Sequence, residues 1–331
     1  MIGIASKEWK TDLPEFCEKT RDFYAGKMDK GSYKGFSGRY GSYAQKGGAA
    51  SMLRLRMTAG CVSKEKLAFI AKAIRAYQVN MVHFTTCESV QFHNLDEKSV
   101  CELMEQALDA GIVTMGGGGD FPRNVMCSPL SGVEEGEYFD VMPWAKAAGE
   151  YLMTFINAEK MPRKLKVCFS NSPANVTHAT YRDLGFAACP DGTFDVYSAG
   201  GLGNNPQFGV KVAEGVAPEK ILYYIKAMWL TFRAYGNYEN RGKARTRYMQ
   251  EALGGAEICR EQRAVHVQQG DQRHVREVMT FGQHLGANQD ARATAMHFRQ
   301  LLFECAFAAG GVPVDTRNRH VREKGPKRLL Q

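Results

Sequence analysis

Residues 51–115 alternate between two kinds of hydrophobic periodicity, and this order constrains the fold more than any other feature of the chain. The segments SMLRLRM (51–57), NMVHFTT (80–86), SVQFHNL (89–95) and IVTM (112–115) have the alternation or the apolar run of strands. Apolar residues recur at helical spacing after Ser63 and after Asp96, which are favourable N-caps, and Gly111 ends the second helix. The pattern predicts a β-α-β-β-α-β unit, the order of a ferredoxin-like split βαβ fold.

A second α/β region follows a run of glycines at 116–119. A helix opens at Pro143, a strand is predicted at 164–170, another strand leads into the glycines at 200–203, and a long helix begins at Pro218. A basic helix is predicted at about 238–253. A chain of 331 residues is long enough to form two domains with separate cores. Because both regions contain helices and strands, the predicted fold class is α+β.

The two ends of the chain differ from this body. Residues 1–50 are rich in Gly, Lys and Tyr with little periodicity, and they are predicted to form an extended N-terminal arm. Basic usage changes from 19 Lys and 12 Arg before residue 259 to 2 Lys and 10 Arg after it. Residues 258–331 are therefore predicted to be an atypical, poorly ordered, Arg-rich tail, and a truncated or frame-shifted terminus is one explanation of it.

Several classes of protein are disfavoured by composition. Charged residues interrupt the first sixteen positions, and no window reaches the length of a membrane span, so neither a signal peptide nor a membrane partner is predicted and the expected location is the cytoplasm. Nine cysteines are scattered singly, which favours reduced thiols over a disulfide framework or a zinc site. The net charge of +8 is nearly balanced before residue 259, and no aromatic platform accompanies the basic tail, so nucleic acid is not predicted as a partner.

Basic residues on strand-like segments suggest a site. Lys164 and Lys166 share one face of RKLKVCF (163–169), Arg54 and Arg56 share one face of SMLRLRM, and Arg123 follows the glycine run. A solvated strand face explains each of them singly. Buried cations need anionic partners, and no acidic residue alternates with these five, so together they favour a pocket for a polyanion.

Two other features are less specific. The glycine-rich turns fit neither the P-loop pattern nor the Rossmann pattern, because Pro122 and Pro206 occupy the last glycine position. His93 lies in a strand-like segment, where a histidine is more often satisfied by a backbone carbonyl than catalytic. Neither feature alone indicates a reaction.

Five motifs, in this order and spacing, resemble the N-terminal half of siroheme-dependent sulfite and nitrite reductases. They are MLRLRMTAG (52–60), HFTTCESVQFHNL (83–95), GGGGDFPRNVMCSPLSG (116–132), MPRKLKV (161–167) and FDVYSAGGLGNNP (194–206). The resemblance covers roughly residues 35–255. It implies a ferredoxin-like half domain at 51–112 followed by an α/β siroheme-binding domain at 113–257.

The resemblance also implies a site. In that family, sulfite or nitrite binds the siroheme iron within a cage of Arg and Lys, and the matching positions here are Arg56, Arg123, Lys164 and Lys166. Positions expected to face the siroheme are Gln91, His93, Asn124, Arg163, Gly200, Gly201 and Gly203. The implied activity is the six-electron reduction of sulfite to sulfide or of nitrite to ammonia, with electrons from an unidentified donor protein.

Two departures from the family pattern accompany these expectations. Cys87 stands in TTCESVQFH where many members have Arg, which removes one cation near the siroheme. The family's [4Fe-4S] cysteines, spaced C-x5-C and C-x3-C, have no counterpart among the nine cysteines. The alternative is therefore a non-catalytic or truncated half-module that binds siroheme or pairs with a cluster-bearing partner chain.

Overall fold

The computed structural model describes residues 9–156, 160–203 and 205–252. The chain divides into two compact units. The first contains the residues up to Pro129 together with Gly149–Lys166, and the second contains Leu130–Ala148 and the residues from Val167 onward. This division assigns 113–129 and 149–166 to the first unit, whereas the sequence prediction places them in the siroheme-binding domain; the predicted boundaries stay a prediction.

An antiparallel sheet of four strands forms the centre of the first unit. The strands are β1 (Ser42–Ala44), β2 (Ser51–Arg56), β3 (Val82–Phe84) and β4 (Ser89–Leu95), hydrogen-bonded in the order β1-β2-β4-β3. Its helices are α1 (Leu13–Tyr24), α2 (Lys30–Ser37), α3 (Lys64–Ala76) and α4 (Glu97–Asp109). Leu53, Leu55 and Phe92 of the sheet are fully buried with Val100 and Leu103 of α4, so apolar burial fixes the sheet against its helices.

The two predicted helix starts are confirmed. The Ser63 side chain accepts a hydrogen bond from the Lys66 backbone N–H at 3.3 Å, and Asp96 accepts one from the Ser99 N–H at 2.7 Å. These bonds satisfy backbone donors that a helix leaves unpaired in its first turn. Gly111, with φ of +68°, follows the end of α4 as predicted.

Two predictions for this unit are wrong. Residues 112–115 are not a strand, because Ile112 and Met115 are buried in the core and do not pair along a ladder. Residues 1–50 are not an extended arm in their described part, since α1 and α2 are helices and Phe16 and Tyr33 are completely buried. The aromatic side chains of this segment pack on one another, with the Phe23 and Tyr33 rings stacked at 4.3 Å.

The second unit contains β6 (Val167–Ser170), β7 (Leu184–Ala188), β8 (Phe194–Ser198) and β9 (Val210–Val216), hydrogen-bonded in that order. The pair β6 and β7 is parallel, and the other two pairs are antiparallel. Its long helix is α6 (Ile221–Tyr235), and α7 (Arg247–Ala252) follows. The chain also contains β5 (Met126–Cys127) and α5 (Met142–Met153), and short 3-10 helices lie at Thr58–Gly60, Ala179–Tyr181, Pro218–Lys220 and Arg241–Lys243.

The predicted strand at 164–170 is shorter than expected, and the predicted basic helix is broken. Lys164 and Lys166 lie just before β6, and Leu165 between them forms an isolated parallel bridge with Pro122. The basic helix is reduced to a 3-10 turn and the short α7. None of the helices in the described ranges is long and apolar enough to cross a membrane. The tail at 258–331 lies outside the described residues.

Candidate functional site

Strand β2 directs two arginines to one side of the sheet in the first unit. Arg54 and Arg56 are two residues apart, so they leave the strand on the same face. The Arg56 side chain is almost completely buried, and its guanidinium donates to the carbonyl oxygens of Pro122 at 2.9 Å, Arg123 at 3.0 Å and Met115 at 3.2 Å. The backbone at 115–123 therefore wraps around this group.

Arg123 joins these residues from the segment that follows the glycine run. Its side chain is 9% exposed, and it donates to the carbonyl oxygens of Gly119, at 2.8 Å, and of Gly117. The same Gly117 oxygen accepts a hydrogen bond from Arg54. Arg54, Arg56 and Arg123 are called the arginine cluster below.

The close approach of the backbone around this cluster explains the glycine run. A Cβ atom on Gly118 would lie 2.5 Å from both the Gly38 carbonyl oxygen and the Tyr43 hydroxyl. A Cβ on Gly116 would lie 2.8 Å from an Arg56 guanidinium nitrogen. Side chains at these positions would displace the carbonyl groups that hold the arginines.

The arginine cluster is not neutralised by the described protein. Within residues 9–156, 160–203 and 205–252, none of its three members forms an ion pair with Asp or Glu. Burial, followed by repulsion from Arg123 and Arg54, lowers the pKa of Arg56 to about 9, and burial also lowers the pKa values of Arg54 and Arg123. The buried Nε of Arg123 has no hydrogen-bond partner. The cluster therefore has the properties of an anion site.

A polar row crosses the sheet beside the cluster. Gln91 on β4 pairs with Arg54 of β2 and with His83 of β3. Hydrogen bonding orients the Gln91 amide with its oxygen 3.0 Å from Arg54 Nε and its nitrogen 3.3 Å from His93 Nε2. Burial, then His83 and then Arg54, lowers the pKa of His93. The predicted residues Gln91 and His93 are thus linked to the cluster through Arg54.

Asn124 has a structural role in this arrangement. Its side-chain nitrogen donates to the carbonyl oxygens of Met57 at 2.7 Å, Cys87 at 2.9 Å and Glu88 at 3.1 Å. These bonds tie the end of β2 to the turn before β4. Asn124 therefore positions backbone near the cluster, a contribution that the sequence does not distinguish from direct ligand contact.

The segment 163–166 runs alongside Arg123. The Arg123 N–H donates to the Leu165 carbonyl at 2.8 Å, which places the flanking Lys164 and Lys166 beside the cluster along the backbone. Both lysines are partly exposed. Arg163 forms an ion pair with Asp120 at 2.9 Å, so its charge is balanced by protein.

The three predicted glycines lie in the second unit. A Cβ on Gly200 would lie 2.6 Å from the Tyr181 Cα, and Gly201 pairs with Gln207 through two backbone hydrogen bonds of 2.9 Å. Gly203 has φ of +96°. Close packing of backbone thus explains Gly200, whereas a Cβ on Gly201 would lie 3.4 Å from a side-chain nitrogen of Arg247.

Two buried polar residues of the second unit, Gln250 and Asp183, were not predicted from the sequence to be part of this region. The buried Gln250 of α7 donates to the carbonyls of Ala199 and Phe208 on either side of the glycines. Asp183, completely buried, accepts hydrogen bonds from Arg245 at 2.9 Å and from Thr246. Both contacts join residues more than forty positions apart, and no local pattern predicts them.

Comparison with known proteins gives two matches to family models. Residues 43–110 match the nitrite/sulfite reductase ferredoxin-like half domain, and residues 118–268 match the nitrite and sulphite reductase 4Fe-4S domain. The chain belongs to the nitrite and sulfite reductase family. The predicted family and its α+β fold are confirmed.

Individual relatives agree with this assignment. The sulfite reductase [NADPH] hemoprotein beta-component of Thiocapsa roseopersicina is 29% identical over 236 residues, which is 61% of this chain and 42% of that protein. That of Vibrio atlanticus is 30% identical over 237 residues, covering 61% and 41%. The structure of Mycobacterium tuberculosis NirA has a TM-score of 0.64 at 23% identity, with 80% of this chain and 53% of that chain covered, and it supports the fold. The chain spans about two fifths of the length of the curated relatives it matches.

The family depends on siroheme and a [4Fe-4S] cluster, and the described residues fit only the first. A largely buried arginine cluster has no carboxylate partners within the described residues, and the buried Nε of Arg123 has no hydrogen-bond partner. These properties suit the many carboxylates of siroheme. No group of three or more His, Cys, Asp or Glu side chains in the described ranges could hold a metal ion.

Proposed function

We propose that this chain supplies the siroheme-binding and anion-binding half of a reductase that converts sulfite to sulfide or nitrite to ammonia by six-electron reduction. The observation that carries the proposal is the arginine cluster, in which Arg56 and Arg123 are buried and no member has an ion-pair partner in the described part of the chain. Confining positive charge in this way costs several kcal/mol unless an anion compensates it. A cofactor rich in carboxylates and an oxyanion substrate would both provide that compensation.

The residues divide into two proposed roles. Arg56, Arg123, Lys164 and Lys166 would bind the oxyanion and donate hydrogen bonds to it as its S–O or N–O bonds break. Arg54, Gln91, His93 and Arg163 would bind carboxylates of the cofactor. When bound, siroheme would supply the iron that receives the substrate and the path for its electrons.

The Arg54–Gln91–His93 row suits this division. Gln91 donates to His93 Nε2, so a neutral His93 carries its proton on Nδ1. Its lowered pKa favours that neutral form near pH 7. His93 can therefore donate one hydrogen bond from Nδ1 without adding a further charge beside the arginines.

A second candidate function is a non-catalytic half-module that binds siroheme or another anion and pairs with a cluster-bearing partner chain. The sequence favours it in one respect, because its nine cysteines contain no C-x5-C or C-x3-C pair. In this case the arginine cluster would bind the same anions. The partner chain would supply the [4Fe-4S] cluster and the electrons.

Purification under anaerobic conditions distinguishes the two candidates. The absorption spectrum, iron content and acid-labile sulfide of the full chain are measured, together with sulfite and nitrite turnover by a reduced dye. Siroheme bands with labile sulfide and turnover would exclude the half-module. Siroheme bands without labile sulfide or turnover support it. A protein that cannot bind added siroheme contradicts the first candidate and leaves, of the second, only a module for another anion.

The proposed anion roles are tested in a cluster-complete assembly. Lys166→Ala and Arg123→Ala are expected to lower turnover of sulfite and nitrite, whereas Arg75→Ala, on the exposed part of α3, is expected to leave it unchanged. Equal turnover in all of these variants would contradict the assignment of the cage.

A further inference from the structure

Helices α1 and α4 of the first unit pack antiparallel, with matched positions along their length. Lys10, just before α1, forms an ion pair with Asp109 at the end of α4. Tyr24, at the end of α1, lies within electrostatic range of Asp96 and Glu97 at the start of α4. Contacts at both ends therefore bring the middle of one helix against the middle of the other.

Two cysteines face each other at this midpoint. Cys17 of α1 and Cys101 of α4 lie at matching positions of this antiparallel pair, and each side chain shifts the pKa of the other. Both are free thiols, and both are only partly buried at the edge of the apolar core. The contacts at the two helix ends, Lys10 with Asp109 and Tyr24 with Asp96, place position 17 opposite position 101 without reference to the thiols.

The surrounding charges distinguish the two thiols. The groups that act on them from α1 and α4 are Arg21, Glu97 and Glu105. The interaction with the Cys101 side chain lowers the pKa of Cys17 against the effect of burial, and Arg21 adds to the lowering. The interaction with Cys17, followed by burial, raises the pKa of Cys101. Cys17 is therefore the better nucleophile of the pair.

We propose that Cys17 and Cys101 form a reversible disulfide that links α1 covalently to α4, with an oxidised low-molecular-weight disulfide as the oxidant. The Cys17 thiolate attacks one sulfur of the small disulfide, the S–S bond breaks, and one small thiolate leaves and takes up a proton. Cys101 then loses its proton to water and attacks the Cys17 sulfur, which releases the second small thiolate. The protein loses two electrons, and the small disulfide gains them to give two thiols.

This bond would connect a helix before the matched half domain to a helix within it. The family match to the half domain begins at residue 43, so α1 precedes it. The link would close the loop from residue 17 to residue 101 and would restrict the unfolded chain, which stabilises the folded form. It is independent of siroheme and of the proposed reductase function.

The test uses the full, reduced chain incubated with oxidised glutathione without denaturant. Free thiols are then blocked by alkylation, and a non-reducing digest is examined by mass spectrometry. The expected product is a peptide pair joined through Cys17 and Cys101, together with a raised unfolding temperature that returns to its original value on reduction. In Cys101→Ser, a glutathione adduct should persist on Cys17, whereas Cys61→Ser should behave as the parent.

Two results would overturn the proposal. One is a digest in which Cys17 and Cys101 remain alkylated while other thiols carry glutathione. The other is a Cys17–Cys101 link that forms only after urea is added, which would show that the folded geometry does not favour it. If Cys101→Ser does not fold, Cys17→Ala replaces it, and this variant should then show little adduct on Cys101.

Discussion

Arg56 is held inside the first unit by three carbonyl oxygens, and Arg123 by two. Carbonyl dipoles satisfy the geometry of a guanidinium without cancelling its charge. The positive charge of the arginines therefore remains uncompensated after all of these hydrogen bonds have formed. This uncompensated charge, which the sequences of β2 and of the glycine run place together, is the basis of the proposed anion site.

Replacing Arg123 by Ala should weaken oxyanion binding. Loss of one buried charged donor costs about 1.5–3 kcal/mol, which corresponds to about one to two orders of magnitude in affinity. The measurement is the rise in unfolding temperature with added sulfate, an unreactive oxyanion, at constant ionic strength. Arg75→Ala should behave as the parent, and an equal response in Arg123→Ala would count against an anion site at the cluster.

His93 should titrate below the usual pH range of a histidine. Burial, His83 and Arg54 lower its pKa, so the unfolded chain binds this proton at a higher pH than the folded chain does. Its contribution to stability is thus lost as pH falls from about 6.5 through the lowered folded pKa. A histidine-resolved NMR titration should give a midpoint below 6.5, and Arg54→Gln should raise this midpoint.

The control for that titration is Arg75→Gln, which removes a cation from the exposed side of α3. It should leave the His93 midpoint unchanged. A midpoint in Arg54→Gln equal to that of the parent would show that the guanidinium does not act on His93.

At the level of elements, the sequence predicted the helices and strands that are determined by neighbouring residues. Ser63 and Asp96 cap α3 and α4, and strands β2 and β4 follow their alternating residues. Helix α1 was missed because its buried face includes the polar Thr20 beside Leu13 and Phe16. Helix α2 was missed because Gly31 and Gly35 interrupt its pattern, although Tyr33 is completely buried. Residues 112–115 were misassigned because an apolar run reports burial, and only pairing distinguishes a strand.

Two glycines of the first unit should respond oppositely to Ala. Gly35 lies on the exposed side of α2 with no atom near a built Cβ, so Gly35→Ala should raise the free energy of unfolding by about 0.5–1 kcal/mol. Gly41 has φ of +78°, and its Cβ would lie 2.3 Å from the Thr114 carbonyl oxygen, so Gly41→Ala should lower it by about 1–3 kcal/mol or more.

Urea denaturation of both variants measures these changes on one unit. Because each replaces glycine by alanine, they serve as controls for one another. A loss of stability in Gly35→Ala would contradict the helical assignment of 30–37, and tolerance of Gly41→Ala would contradict the close contact with Thr114.

At the level of the molecule, the sequence predicted that Arg54, Arg56 and Arg123 come together, but it did not predict the contacts that hold them. The cations on β2 and after the glycine run do meet, as expected from their charge and the lack of local acidic partners. The ion pair of Arg163 with Asp120 depends on the bridge between Leu165 and Pro122, and no local pattern reports such a contact. Ligands for a [4Fe-4S] cluster could not be predicted, because the C-x5-C and C-x3-C spacings of the family do not occur in the sequence.

The central claim is that cations of the first unit bind the carboxylates of siroheme, with Arg54 of the arginine cluster and Arg163 in this role. It is tested most directly by titrating siroheme into the full chain and into the variant with Arg54→Gln and Arg163→Gln, with Arg75→Gln as control, and following the absorption spectrum. We expect saturable binding by the parent and the control, and a loss of affinity of at least about tenfold in the double variant. No binding by the parent, or equal affinity in all three proteins, would contradict it.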